Sequence, residues 1–370
     1  MVRGARARFG YLSLALLVIF LLVRFQQAVV DYVPSALRPR PSIPNIVHYV
    51  WTQRDQTADL AFEFKHFLSI YSAKYYWQPK SIYIHTNAAA SSVARARAGS
   101  SGKWSALIFT LPGVVVNRVE APTHAGNGQE ITFEENKTDF IRADILLSMG
   151  GVYVDWDVCA LRDIRPLRES GFNTVIGRME GRQLQVNSGT ILARKGAKLV
   201  GLYLQRMHEV YDGTYTAHSN ILLTGISEHL AREQGEVLIL DQNAFTPGSW
   251  LPKHLSMLYE VQPDAKSNLE GVKPGDNLPA HDIEETGSWM YQPESLNEGW
   301  ERHFLDSYMI HAFQPGVRNI PKVDGFDHIS PRYVLERRSN FARAVYPVVR
   351  DMYEKGMIGF DDRFDGKTSP

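Results

Sequence analysis

The chain alternates short apolar runs with longer stretches whose apolar positions recur at helical spacing. "NIVHYVW" (residues 45–51) is rich in β-branched and aromatic residues and predicts a strand. "ADLAFEFKHFLSIYSAKYYW" (58–77) has the spacing of an amphipathic helix. "SIYIHTN" (81–87) and "GVVVNRVE" (113–120) predict two more strands. Thr132 and Glu135 make a capping box that opens a helix through residues 136–149. Gly150 and Gly151 end that helix, and "VYVDWDV" (152–158) begins at once as a strand. "NTVIGRME" (173–180) and "QVNSGTILAR" (185–194) supply further strands, with helices near 197–210 and 220–232. The last fifty residues read as irregular chain followed by one helix over residues 333–356. Strands alternating with helices predict an α/β fold with a mostly parallel sheet covered on both faces.

The N-terminus departs from this alternation. Arg3, Arg6 and Arg8 precede the uncharged, mostly apolar run "FGYLSLALLVIFLLV", which continues past Arg24 as "FQQAVV". A spanning helix needs about 20 residues, a length reached if Arg24 snorkels to the interface. No small-x-small cleavage pattern follows, which favours an uncleaved anchor over a signal peptide. Arginines ahead of the span place the N-terminus in the cytosol and the rest of the chain in the lumen. The expected organisation is a cytosolic tail (1–8), a transmembrane anchor (9–30), a Pro-rich stem (31–42), a catalytic domain (43–316) and a C-terminal helical extension (317–370).

Composition narrows the function classes. Lysine plus arginine and aspartate plus glutamate are equal at 40 each, and no long basic run occurs after residue 8. A nucleic-acid partner, which needs a positive face, is not expected. Cys159 is the only cysteine, so neither an intrachain disulfide nor a cysteine-based zinc site can form.

The chemistry concentrates in "GGVYVDWDV" (150–158), an apolar run broken by two carboxylates. Read as one strand, it points Val152, Val154, Trp156 and Val158 one way, and Tyr153, Asp155 and Asp157 the other. Both carboxylates then emerge together in the crevice where open α/β sheets bind ligands. Oxygen donors of this kind suit Mn²⁺ or Mg²⁺, which grips phosphates. Taken alone, the triplet also reads as strand-end aspartates capping a turn.

The wider segment "KTDFIRADILLSMGGVYVDWDV" resembles the D-x-D sugar-binding region of glycosyltransferase family 32, which includes fungal α-mannosyltransferases and inositol-phosphoceramide sugar transferases. The ordered pattern is Asp139, Arg142, Gly150, Gly151, Tyr153, Asp155 and Asp157. The family's opening motif is present as "IPNIVHYVW" (43–51). The resemblance implies a GT-A fold and a retaining, metal-dependent transfer of a hexose from GDP-mannose or a UDP-hexose to a glycan or glycolipid acceptor, on a Golgi membrane. It implies metal ligation by Asp155, Asp157 and His311. It implies donor binding by Trp51, Asp139, Arg142, Tyr153, Asp155, Asn187 and Ser188, with Asp139, Arg142 and Asp157 as the catalytic residues. Asp139 and Arg142 could instead be a mutual ion pair on their helix. "LTGIS" (223–227) and "IHAFQPG" (310–316) depart from the family pattern, and both lie on the acceptor side.

Two other readings stay open. "VYVDWDVCAL" also fits an aspartyl-phosphate phosphatase, with Asp361 and Asp362 as its late acidic pair. A catalytically inactive sugar-binding Golgi protein is the third.

Overall fold

A computed structural model describes residues 42–180, 184–214, 217–278, 299–316 and 320–367, together with Val18, Leu21 and Arg24. Contacts divide the chain into Met1–Pro41 and Ser42–Pro370. No helix among the described residues is long and apolar enough to cross a membrane. The candidate anchor at 9–30 lies almost wholly outside the described residues.

Within Ser42–Pro370 the elements run β1 (Ile46–Trp51), α1 (Phe64–Trp77), β2 (Ser81–Thr86), α2 (Ala90–Arg97), α3 (Lys103–Thr110) and β3 (Val114–Arg118). Next come α4 (Glu134–Met149), β4 (Gly151–Val154), β5 (Val158–Ala160), α5 (Arg165–Arg168), β6 (Thr174–Arg178), β7 (Val186–Ala193) and α6 (Lys198–Val210). A kinked turn (Ala217–Ile221) leads into α7 (Leu222–Leu230), β8 (Val237–Leu240), α8 (Gln242–Phe245) and α9 (Pro252–Tyr259). After them come β9 (Met309–His311), α10 (Pro331–Leu335) and α11 (Asn340–Glu354).

Seven strands form one sheet in the order β3-β2-β1-β4-β7-β6-β8, and β5 pairs with β9 in a small ribbon. The β1–β2, β2–β3, β1–β4 and β6–β8 pairings are parallel, while β7 runs antiparallel to both its neighbours. The expected mostly parallel α/β sheet is therefore present.

Strand residues alternate between two cores. Val152, Val154, Val175 and Leu192 join a cluster with α1, α3, α9 and α11. Tyr153, Ile176, Ile191 and Ala193 join a second cluster with α4, α6 and α7. Helices thus cover both faces, as period-two strands buried on both sides require.

The Gly-Gly junction between α4 and β4 is fixed by a chain of buried polar groups. Gly150 (φ +67°) and Gly151 (φ +118°) lie in left-handed backbone. A Cβ on Gly151 would sit 2.7 Å from the Ile46 carbonyl oxygen and 2.8 Å from His48 Nε2. Only glycine fits there. His48 Nε2 lies 2.8 Å from the Gly150 carbonyl, which can only accept, so Nε2 carries the proton. His48 Nδ1 then accepts from His85 Nε2 at 3.0 Å, and His85 Nδ1 accepts from Asn117 Nδ2 at 2.9 Å. Burial pushes the His48 pKa down to about 4. Burial, with His48 beside it, pushes that of His85 to about 3.

A histidine whose folded pKa lies below its unfolded value stabilises the fold above about pH 6.5, and that contribution is lost as pH falls. Stability should therefore drop between pH 6.5 and 4 by about 2–3 kcal/mol through His48. His48→Gln, which keeps a neutral donor and acceptor, should shrink the gap between urea midpoints at pH 7 and pH 4.5. An unchanged gap would assign the acid sensitivity elsewhere.

Several boundaries differ from the sequence expectation. The helix expected over 58–77 starts at Phe64, because Ser105 Oγ donates to the Leu60 carbonyl and accepts from Phe62 N, holding that stretch extended. The capping box at Thr132 and Glu135 is not formed. Phe133 is the N-cap and makes no side-chain cap bond, and Glu134 and Glu135 occupy the first turn, where acidic groups suit the helix dipole. The single helix over 333–356 is two helices, with Arg337 at φ +57° between them and Ser339 capping α11.

Candidate active site

The strand expected over 152–158 ends at Val154, and residues 155–157 form a turn. Asp155 N donates to the Gly189 carbonyl at 2.8 Å, and Val158 N donates back to the Asp155 carbonyl at 3.1 Å. Trp156 Nε1 donates to the Val50 carbonyl at 2.8 Å, drawing the indole under β1. The alternation of faces predicted for Asp155 and Asp157 does not hold. A turn, rather than a pleat, brings the two carboxylates together.

The β5–β9 ribbon adds the third group. Val158 opposes His311 in an antiparallel register, and Ala312 N donates to the Asp157 carbonyl at 2.8 Å. His311 Nε2 consequently lies 3.1 Å from Asp157 Oδ1. Burial alone would raise the Asp157 pKa, but the neighbouring His311 charge and hydrogen bond hold it below the usual carboxylate range. His311 is shifted up in turn: burial lowers it, and Asp157 more than offsets that. One ligand atom from each of Asp155, Asp157 and His311 falls within 4.8 Å of the others.

Gly189 borders the space these groups enclose. A Cβ there would lie 2.8 Å from each of Asn187 Oδ1, Asp155 Oδ2 and His311 Cε1. Any side chain at 189 would intrude on the ligand atoms. Two carboxylates and an imidazole around a cradle kept open by glycine fit a divalent ion of the Mn²⁺ or Mg²⁺ kind.

A second layer orients these groups. Asp155 Oδ1 accepts from the Tyr153 hydroxyl at 2.5 Å and lies 3.3 Å from Arg142 Nη2. The Arg142 guanidinium stands 4.4 Å over the Tyr153 ring and donates through Nη1 to the carbonyl (2.8 Å) and hydroxyl (3.2 Å) of Ser188. Its Nη2 pairs with Asp139 Oδ1 at 3.0 Å, and the other Asp139 oxygen accepts from His218 Nε2 at 3.1 Å. Burial works against the Arg142 charge, but Asp155 and Asp139 outweigh it and hold the pKa above the usual arginine value. Asn187 Nδ2 lies 3.2 Å from His311 Nδ1, fixing the imidazole from behind.

Asp139, Arg142, Tyr153, Asp155, Asp157, Asn187, Ser188 and His311 thus form one connected network. The i,i+3 ion pair between Asp139 and Arg142 exists, and Arg142 carries it on to the D-x-D turn. Trp51 is not part of that network: it lies half-buried against Phe62 (4.6 Å), His66 (5.5 Å) and Trp156 (6.0 Å). Sequence reasoning missed His218, whose lone histidine carries no signal. It also missed Gly189, although "NSG" beside Asn187 was the available cue. Asn136, which opens the sequon "NKT", is buried and donates to Tyr211 and Thr214, so it offers no amide for a glycan.

No curated protein is significantly similar to the chain. PaToxG glycosyltransferase shares 16% identity, covering 57% of this chain and 76% of its own, with a TM-score of 0.38. Mouse xyloside xylosyltransferase 1 shares 13% identity over 54% of this chain and 85% of its own, at a TM-score of 0.35. The galactosyltransferase LgtC, in complex with donor and acceptor sugar analogues, shares 13% over 54% and 74%, at 0.34. Residues 115–175 match the family model described as a glycosyltransferase sugar-binding region containing the DXD motif. That span holds Asp139, Arg142, Asp155 and Asp157, so residues 115–175 are similar to the DXD-containing sugar-binding region of glycosyltransferases.

Proposed function

We propose that the protein is a divalent-metal-dependent, retaining glycosyltransferase of the GT-A type. It would transfer a hexose from GDP-mannose or a UDP-hexose to a glycan or glycolipid acceptor. The observation that carries this reading is the convergence of Asp155, Asp157 and His311 around the Gly189 cradle. The Arg-flanked apolar run over residues 9–30 would anchor the chain in a membrane with the catalytic unit in the lumen, and the family resemblance suggests the Golgi.

Asp155, Asp157 and His311 would hold the ion. Bound there, it would supply positive charge against the diphosphate that leaves as the glycosidic bond breaks. The chain's own residues do the positioning. Tyr153 and Arg142 both hold Asp155 Oδ1, and Asn187 fixes the His311 ring. Arg142 is charge-balanced by Asp139, which His218 holds in place. Such preorganisation leaves little to rearrange when charge develops. Retention of stereochemistry rests on the family resemblance.

Trp51 sits at the end of β1 with its indole partly exposed, where a nucleotide base could stack. Trp51→Ala should raise the donor KM about 5-fold or more with a smaller change in kcat, because stacking acts equally on ground and transition states. An unchanged KM would return Trp51 to a packing role.

The phosphatase reading requires a late acidic pair beside Asp155. Asp361 pairs with Arg332 and Asp362 with Lys103 instead, and neither belongs to the metal-ligating group among the described residues. The direct test is a donor screen with the full chain and Mn²⁺ across UDP- and GDP-sugars, scored by hydrolysis without acceptor. Turnover of one donor class supports the reading. No hydrolysis of any donor, together with phosphate release from phosphomonoesters, would replace it.

A further inference from the structure

Beyond the metal cluster, a ladder of rings runs outward from His311. Phe313 stacks on the His311 imidazole with centroids 3.9 Å apart and planes 17° from parallel. Trp250 meets Phe313 edge-on at 5.8 Å and 72°. Trp250 is 37% exposed, the one exposed tryptophan among the described residues. The outer end of the ladder is thus partly open to a ligand.

The ladder is held by the backbone. Phe313 adopts φ +41°, an uncommon conformation for a residue with a side chain. The preceding residue is pinned on both sides: Ala312 N donates to the Asp157 carbonyl, and the Ala312 carbonyl accepts from the Tyr259 hydroxyl. Such backbone persists only where its surroundings over-determine it, and it gathers at functional sites. Here it turns the Phe313 ring back over the metal-site histidine. Trp250 is thereby placed two ring contacts from His311.

Polar residues flank Trp250 in the chain and bond one another. Ser249 Oγ and His254 Nδ1 are 2.8 Å apart, and His254 Nε2 lies 2.9 Å from the Glu180 carboxylate. Lys253 reaches the other Glu180 oxygen at 3.3 Å. An exposed indole in a segment that also carries an imidazole and an ammonium paired to Glu180 suits an amphipathic ring. A pyranose has that character: one face of C–H bonds that packs on an indole by dispersion, and an edge of hydroxyls.

We propose that Trp250 and Phe313 form the platform of an acceptor subsite, on which a pyranose ring of the acceptor stacks beside the metal cluster. The proposal rests on the glycosyltransferase reading above. It extends that reading to the acceptor, which the departures at 223–227 and 310–316 left without a counterpart in the family.

The test uses the full chain, Trp250→Ala and Trp250→Phe, with methyl and hexyl glycosides of mannose and galactose as probes. Glycoside binding is read by saturation-transfer NMR, and donor hydrolysis without acceptor is read in parallel. Trp250→Ala should weaken binding of methyl and hexyl glycosides alike, by roughly tenfold or more. Trp250→Phe should restore most of it, and donor hydrolysis should stay within about twofold of the parent. Equal binding by the parent and Trp250→Ala, or no glycoside binding at all, would overturn the subsite. So would a loss confined to the hexyl glycosides, which would assign Trp250 to the lipid part of an acceptor. Hydrolysis falling together with glycoside binding would reduce Trp250 to a structural role. Should the parent hydrolyse no donor yet bind glycosides through Trp250, the transferase reading falls and the sugar subsite stands.

Discussion

Asp155→Asn and Asp157→Asn are each expected to lower kcat for transfer by roughly 10²- to 10⁴-fold while the melting temperature moves little. Asparagine keeps the volume and one acceptor oxygen of aspartate, so Tyr153 can still donate at 155. What it removes is a negative ligand for an ion bridging to the donor phosphates. That loss acts on the charge that builds as the diphosphate departs, so it falls on kcat as well as on donor KM. His311→Ala removes a neutral ligand and should cost less than either carboxylate. Kinetics at fixed Mn²⁺ beside thermal melting would check this. An Asp157→Asn variant turning over at the parental rate would take Asp157 out of the site.

Arg142→Leu should be the most destabilising single change in the site, costing about 3–5 kcal/mol. It strands Asp139, which is 7% exposed, with only His218 as partner, and it leaves Asp155 without its cation. The neutral pair Asp139→Asn with Arg142→Gln should recover most of that stability, because no lone buried charge remains. Turnover should stay roughly a hundredfold or more below the parent, since the Asp155 carboxylate is no longer held from Nη2. Among the described residues the terminal nitrogens of Arg142 bond Ser188, Asp139, Asp155 and Thr138, and on the proposed reading Arg142 would act by positioning Asp155. Melting and kcat/KM measured on the same single and double variants separate the roles. Turnover that recovers along with stability would make Arg142 a structural ion pair and nothing more.

Much of this site was legible in the chain because its parts are close in sequence. Asp139, Arg142, the Gly-Gly junction and the two aspartates lie within twenty residues and keep the order of a known motif. The parallel sheet was legible for a similar reason, since strands buried on both faces appear as dense apolar runs. The break at Asp155 was not. "VYVDWDV" has the composition of one strand, and what ends it is distant: the Gly189 carbonyl taking its N–H, and the Val50 carbonyl taking the Trp156 indole. His218 reaches Asp139 across 79 residues and Asn187 reaches His311 across 124, and no local pattern encodes contacts of that span. The short ribbon strand β9 is legible only through its pairing with β5, which is also why His311 could be nominated by resemblance but not placed. At the C-terminus, a continuous helical pattern hid the Ser339 cap that divides it.

The central claim is that Asp155, Asp157 and His311 hold one divalent ion that serves a nucleoside-diphosphate donor. Titration of Mn²⁺ into the full chain with UDP or GDP present, followed by the EPR signal of the free ion, tests it most directly. The account predicts one bound ion per chain, tightened by one of the two nucleotides and lost in both Asp155→Asn and Asp157→Asn. Mn²⁺ binding that is absent from the parent, or that persists unchanged in both variants, would contradict it.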